Sequence, residues 1–245
     1  MTVPTLVLIH GAGDTARVWE GTQAFLASPS VAVDLLGRAT RPFDLTMVTI
    51  DLAATQVVAD VRAATVGPVI VVVHSASGVI GPRVVAMLGG QTCHLVLVAG
   101  VTAAEGEVAA DTVHPERRAA FLEARPRMLH EHGGQSYARG EAVAQLPEHL
   151  TAIDDPHIVR AIESLNLMFQ PVSWAGVSRY LPRTFVRPLF DQLQTREMQA
   201  RLIAAANCGE VIDIEADHTP ARSAPRALAT VLDEIASRYP SPQAR

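Results

Sequence analysis

The chain has 245 residues, 49% hydrophobic and 18% charged, with a formal net charge of −5. That balance fits a large globular domain with a sizeable core and excludes a disordered chain. The mildly acidic charge argues against nucleic acid or an anionic membrane as partner, and no apolar run reaches the roughly 20 residues that span a bilayer.

Met1-Thr2-Val3-Pro4 shows no basic n-region or cleavage site and leads into a strand predicted at Thr5–Ile9. A helical pattern follows over Ala16–Ala27, then a strand at Val31–Asp34, a helix over Met47–Thr65 and a strand at Val69–Val73. Helix Pro82–Leu88 and strand Leu95–Ala99 complete the first half. Residues 102–182 offer no strand; charged helical stretches at Pro115–Glu131 and Pro156–Met168 are separated by Gly133-Gly134, Pro147 and Pro171. Strands resume at Thr184–Arg187 and Val211–Ile214. Leu228, Val231, Leu232 and Ile235 then follow i, i+3, i+4, i+7, the apolar stripe of a closing amphipathic helix. The tail 240–245 is expected to fray.

The strands lack hydrophobic–polar alternation, as parallel strands covered on both faces do. Alternating strands and helices imply right-handed crossovers and an α/β fold: a doubly wound, mainly parallel six-stranded sheet flanked by helices. The expected core domain is residues 1–101 and 183–245, with 102–182 inserted as a helical cap. Cys93 and Cys208 lie far apart and form no CxxC, which fits reduced thiols in a cytoplasmic protein.

The chemistry concentrates at His74-Ser75-Ala76-Ser77-Gly78, between the Val69–Val73 run and a helical pattern. A serine at such a strand-to-helix turn, flanked by small residues, reads as a nucleophile elbow, with helix N–H groups aimed at an oxyanion. Gly11-Ala12-Gly13 is a poor phosphate loop, because no Lys-Ser/Thr follows it and no acidic ribose partner is evident.

Several motifs share one order with this elbow: His10-Gly11-x-Gly13 with Trp19 downstream, Asp34-Leu35-x-Gly37, Phe190-Asp191, and Ala216-Asp217-His218-Thr219-Pro220 followed by Ser223-Ala224-Pro225. From about residue 4 to residue 238 the chain thereby resembles the α/β-hydrolase fold superfamily. Within it, the chain is most similar to small capped serine esterases of the plant methylesterase and hydroxynitrile lyase-like group. The resemblance implies strand order 2-1-3-4-5-6, the chain beginning at what is the family's third strand. The loops after strands 1 and 3 then flank the topological switch point.

The resemblance also implies roles. The elbow needs small residues two before, two after and three after the nucleophile. Ser75 has Val73, Ser77 and Gly78 there, whereas Ser77 would have Ser75, Val79 and Ile80. Val73 departs from the family's usual glycine. Of the nine histidines, His10 sits where the family uses it structurally, His74 should point away from the nucleophile, and His94 begins a strand. His114, His130, His132, His149 and His157 lie in the expected cap, and the spacing of His130 and His132 disfavours a metal pair. His218 follows the last strand and satisfies the order serine, acid, histidine. Asp191 is the expected acid, with Glu105 and Glu107 as alternatives and Asp217 as a loop-shaping residue. The oxyanion hole falls to the backbone N–H groups of Ala12 and Ala76. Gly11, Leu167, Met168 and Trp174 are expected to contact substrate. For the apolar cap set, which also includes Leu165, Phe169 and Val172, packing onto the body is the competing reading.

The implied function is a cofactor-free, metal-free serine hydrolase of a small, largely apolar ester or lactone, acting as monomer or homodimer. Carbon–carbon bond or thioester hydrolysis by the same triad, or non-catalytic binding of a small molecule, are the alternatives. A serine nucleophile disfavours the aspartate-based dehalogenases and epoxide hydrolases, and Thr219 disfavours cyanohydrin cleavage, which pairs a lysine with the histidine.

Overall fold

The structure, a computed structural model, describes residues 3–38, 40–115, 119, 123, 164 and 166–239. Strands β1 (Thr5–Ile9), β2 (Ser30–Val33), β3 (Val69–His74), β4 (Thr92–Val98), β5 (Arg183–Pro188) and β6 (Glu210–Ile214) form one sheet. Its order is β2-β1-β3-β4-β5-β6 and every neighbouring pair is parallel, the α/β architecture expected from the sequence.

The valine-rich strands have a direct physical cause. Successive side chains of a strand point to opposite faces, and here both faces are covered. Val7, Ile9, Val71, Val73, Leu95, Leu97 and Phe185 pack on one side with helices α2 (Ile50–Ala64) and α3 (Gly81–Leu88). Leu6, Leu8, Ile70, Val72, Val96, Val98 and Ile214 pack on the other with Trp19 and the C-terminal helix Pro225–Ser237. All five residues Val69–Val73 have no solvent exposure, and burying each contributes about 1.5–3 kcal/mol.

Helix boundaries differ from expectation where side chains cap the backbone. The pattern over Ala16–Ala27 resolves into a 3₁₀ turn, Ala16–Trp19, and a short helix, α1 (Glu20–Gln23). The Met47–Thr65 pattern starts later, at Ile50, because the Thr49 hydroxyl takes the Leu52 N–H and fixes an extended backbone at Thr49. Helix Arg196–Ala206 had no counterpart in the sequence reading. Its signals are a Thr195 cap, Met198, Leu202 and Ala206 buried at i, i+4, i+8, and a left-handed Asn207 at its end.

Of the expected cap, helix Pro115–Glu131 beyond Pro115, most of Pro156–Met168, residues His130, His132, His149, His157 and Leu165, and the tail 240–245 lie outside the described residues, apart from single positions. The described pieces are a helix at Ala109–Val113 and one at Asn166–Phe169. Ala109, Leu167 and Val172 belong to the same apolar cluster as α2 and α3, so these pieces share the core of the body.

Candidate active site

Parallel register sets the site. Ile9 pairs with Val73 and Val73 with Leu97, so the loops after β1, β3 and β4 leave the sheet side by side. The strand order reverses between β1 and β3, where doubly wound sheets leave a crevice. Gly11 and Ser75 face each other across it: a Cβ on Gly11 would stand 3.0 Å from Ser75 Cβ.

Ser75 opens a 3₁₀ turn, Ser75–Val79, that runs into α3. Its φ is +50°, a left-handed conformation that L-residues adopt at a cost of about 1–3 kcal/mol. The strain is held by neighbours. The Ser75 carbonyl accepts from the Val101 N–H (2.8 Å), and a Cβ on Gly78 would meet Val101 O at 2.3 Å. Gly78→Ala therefore forces the turn off Val101 and is expected to destabilise by about 1–3 kcal/mol in urea unfolding; an unchanged midpoint would mean the turn is not packed this way.

The Ser75 hydroxyl lies 2.8 Å from His218 Nε2, and His218 Nδ1 lies 2.8 Å from Asp191 Oδ2. A carboxylate only accepts, so Nδ1 carries the proton and Nε2 offers its lone pair to the Ser75 hydroxyl. The Asp191 side chain is 1% exposed. Burial works against its ionisation, but the hydrogen bond and charge of His218 and the N–H groups of Gln194 and Leu193 bring its carboxyl below the ordinary range. Gln194 also donates to Ala99 O at 2.7 Å, tying the acid loop to the end of β4.

Four of the competing residues are otherwise engaged. The Ser77 hydroxyl accepts from the His74 N–H (2.9 Å) and lies within donating reach of His74 O and Ile9 O. Glu105 accepts from the Ser173 hydroxyl and the Trp174 N–H. Asp217 accepts from the Thr219 N–H and the Ser223 hydroxyl, shaping the loop. His10 accepts from the Leu35 N–H and donates to Gly11 O; burial pushes it down to about 3, and it braces the ends of β1 and β2 as a neutral ring.

Val73, at the position where the resemblance implies a glycine, is accommodated by another glycine. A Cβ on Gly81 would lie 3.3 Å from Val73 Cγ1, so the valine occupies space that a helix side chain vacates. Val73→Gly should cost about 2–4 kcal/mol, from the cavity left behind and from glycine's entropy in a strand. A thermal melt reads this directly, and a more stable variant would sink the idea of compensation.

Ala76 is the second residue of its turn, where helix amides lack intrahelical partners. Ala12 sits in the loop after β1. That loop is fastened by a set the sequence reading missed. The buried Arg38 donates to Asp14 O at 2.6 Å, and Arg222, just beyond His218, bonds the Asp14 carboxylate. The Ala12 loop and the His218 loop are thus tied together. Their separation of 208 residues from Asp14 to Arg222 leaves no local signal.

Leu167, Phe169 and Val172 are buried, with Met168 packed against the same cluster, and helix Asn166–Phe169 lies against the Ser75–Val79 turn. The Trp174 indole N–H donates to Ala103 O and its ring carries the Arg183 guanidinium at 4.4 Å. Among the described residues no group of three histidine, cysteine or acidic side chains could hold a metal ion, and no helix is long and apolar enough to cross a membrane.

A family profile described as the alpha/beta hydrolase family matches residues 6–231. The chain belongs to the alpha/beta hydrolase family. Similar solved structures of this hydrolase fold include an extracellular alpha/beta-hydrolase from a Paenibacillus species, described as sharing structural and functional homology with tobacco salicylic acid binding protein 2. It is 16% identical, with a TM-score of 0.78, over 94% of this chain and 98% of that one. A pyrethroid hydrolase from Sphingobium faniae JZ-2 is 19% identical (TM-score 0.69; 96% and 98% covered). A methylesterase from Arabidopsis is 18% identical (TM-score 0.68; 96% and 100% covered). At these identities the likeness speaks for the fold alone. A search of curated proteins returned no match.

Proposed function

We propose that this hydrolase cleaves a small, largely apolar carboxylic ester or lactone through Ser75, His218 and Asp191, without a cofactor. The observation that carries the reading is the unbroken chain from Ser75 Oγ through His218 to Asp191, two 2.8 Å hydrogen bonds at the switch point of the sheet. Ser75 Oγ attacks the substrate carbonyl while His218 Nε2 takes its proton. Asp191 holds the resulting imidazolium in place. The carbonyl oxygen becomes an oxyanion, received by the N–H groups of Ala12 and Ala76, each donor contributing about 10²–10³ in rate. Collapse of the intermediate breaks the ester C–O bond, and the leaving oxygen takes the proton from His218. Water, deprotonated by His218, then attacks the acyl-enzyme and frees the acid and Ser75.

Gly11 supports this reading by bringing backbone against the nucleophile, and Leu167 and Met168 by standing on the helix that packs on the elbow. Trp174 is the weakest member of the expected substrate set, since its described contacts fasten Ser173–Trp174 to Ala103, Glu105 and Arg183. Names such as methylesterase and pyrethroid hydrolase among the similar structures favour hydrolysis of a small molecule. Burial pushes two thiols up, Cys93 to about 11 and Cys208 to about 12, which makes both poor nucleophiles and leaves the chemistry to Ser75.

Hydrolysis of p-nitrophenyl esters from acetate to decanoate tests the proposal, together with labelling by an alkyl fluorophosphonate and mapping of the adduct by mass. Turnover with the adduct on Ser75 is expected, and the chain-length optimum sizes the acyl site. Neither turnover nor adduct would turn the case toward a binding role.

A further inference from the structure

Resting on that serine-hydrolase reading, we infer that His74 is a positioning residue for the base. Its ring donates a hydrogen bond to the backbone of His218 and so fixes where the imidazole stands over Ser75.

The bond runs from His74 Nε2 to His218 O at 2.9 Å, across 144 residues of sequence. A carbonyl oxygen only accepts, so Nε2 carries the proton and Nδ1 is bare. Nδ1 is buried and has no partner among the described residues. The ring is walled in. A Cβ on Gly11 would lie 2.8 Å from Nδ1, Trp19 meets the ring edge-on at 6.3 Å between centroids, and the His218 ring stands 5.4 Å away. The His74 backbone is held in turn by the Ser77 hydroxyl.

The consequence is geometric. Asp191 fixes Nδ1 of the base, but one point does not orient a ring. The His74 bond fixes the other end, the main chain of His218, and does so from the residue next to the nucleophile. Base and nucleophile therefore share a short rigid linkage through the elbow. Burial pushes His74 down to about 3, so it remains neutral and adds no charge against the imidazolium that forms beside it.

His74→Leu keeps volume and removes the donor; His74→Gln places an amide N–H near the position of Nε2. His74→Leu is expected to lower kcat about 10–100-fold with KM within about twofold. It should slow phosphonylation of Ser75 in parallel and speed amide hydrogen exchange over residues 215–221. His74→Gln should recover most of the rate and the protection. Equal impairment in Leu and Gln variants would make His74 a space-filling residue and overturn the proposal, as would an unaltered kcat in His74→Leu. Should the Leu variant fail to fold, His74→Asn, which is too short to reach the carbonyl, replaces it in the comparison with Gln. A wild type that neither turns over esters nor reacts with the phosphonate removes the hydrolase reading instead. The exchange comparison then still decides whether His74 holds the loop, and unchanged protection in the donorless variant overturns it.

Discussion

Ser75→Ala is expected to abolish ester turnover, lowering kcat by about 10⁴–10⁶-fold with the fold intact. On the proposed mechanism the substitution removes the atom that forms the covalent bond and leaves the Ala12 and Ala76 amides in place. Residual catalysis of about 10³–10⁴ over water is therefore expected from the oxyanion donors alone. His218→Ala should match it, and the double variant should be no worse than either, because the two side chains act as one unit. Stability should separate the small residues. Alanine at φ +50° keeps the strain of the turn, whereas Ser75→Gly relieves it and should be the more stable by about 1 kcal/mol. Turnover that survives Ser75→Ala would mean another nucleophile, yet Ser77 is committed to His74 and Ile9.

The second large effect is acid unfolding. Burial pushes His10 and His74 down to about 3 and His94 to about 4, from an ordinary value of 6.5. All three sit in neutral hydrogen-bonded places; His94 lies between the Tyr239 hydroxyl and the Thr184 hydroxyl, each at 2.8 Å. Below about pH 6.5 the unfolded chain protonates these rings while the folded protein does not. Protons thus favour the unfolded state, and stability falls as pH drops from 6.5 toward 4. Each ring contributes at most about 1.4 kcal/mol per pH unit, so the three together approach about 4. Two pH units thus remove at most about 8 kcal/mol, enough to unfold a chain in the lower part of the usual range of about 5–15 kcal/mol. Asp191 works the same way further down: its folded value is lowered, so its contribution is lost as pH falls through that value. Urea midpoints at half-unit steps from pH 8 to 4.5 would show the slope beginning near 6.5. A flat profile down to pH 5 would show that the buried rings are not held neutral.

Much of this was legible in the sequence because it is written locally. Val69–Val73 had to be a strand buried on both faces, since no polar residue interrupts it. Ser75 with the small residues Ser77 and Gly78 behind it reads as a tight turn, and the fold gives the reason at Gly78, where a Cβ would meet Val101 O. What went unread was carried by partners with no sequence signal. Helix Arg196–Ala206 depends on caps at Thr195 and Asn207 and on a modest apolar stripe. The fit of Val73 depends on Gly81, and the anchoring of the Ala12 loop depends on Arg38 and Arg222.

The buried parallel strands and the crowded turn at Ser75 were legible in the chain alone, because strand burial and turn crowding constrain residue type one position at a time; strand order, His218 and Asp191 rested on the family resemblance, which left Glu105 and Glu107 open as acids. Which polar groups hold that site together became visible only in the folded chain. His74 on His218, Arg222 on Asp14 and Gln194 on Ala99 are bonds between loops that meet solely because parallel strands end in register. A hydrogen bond that spans 95 to 208 residues leaves no periodicity in the chain; its existence depends on backbone positions that exist only once the sheet has formed.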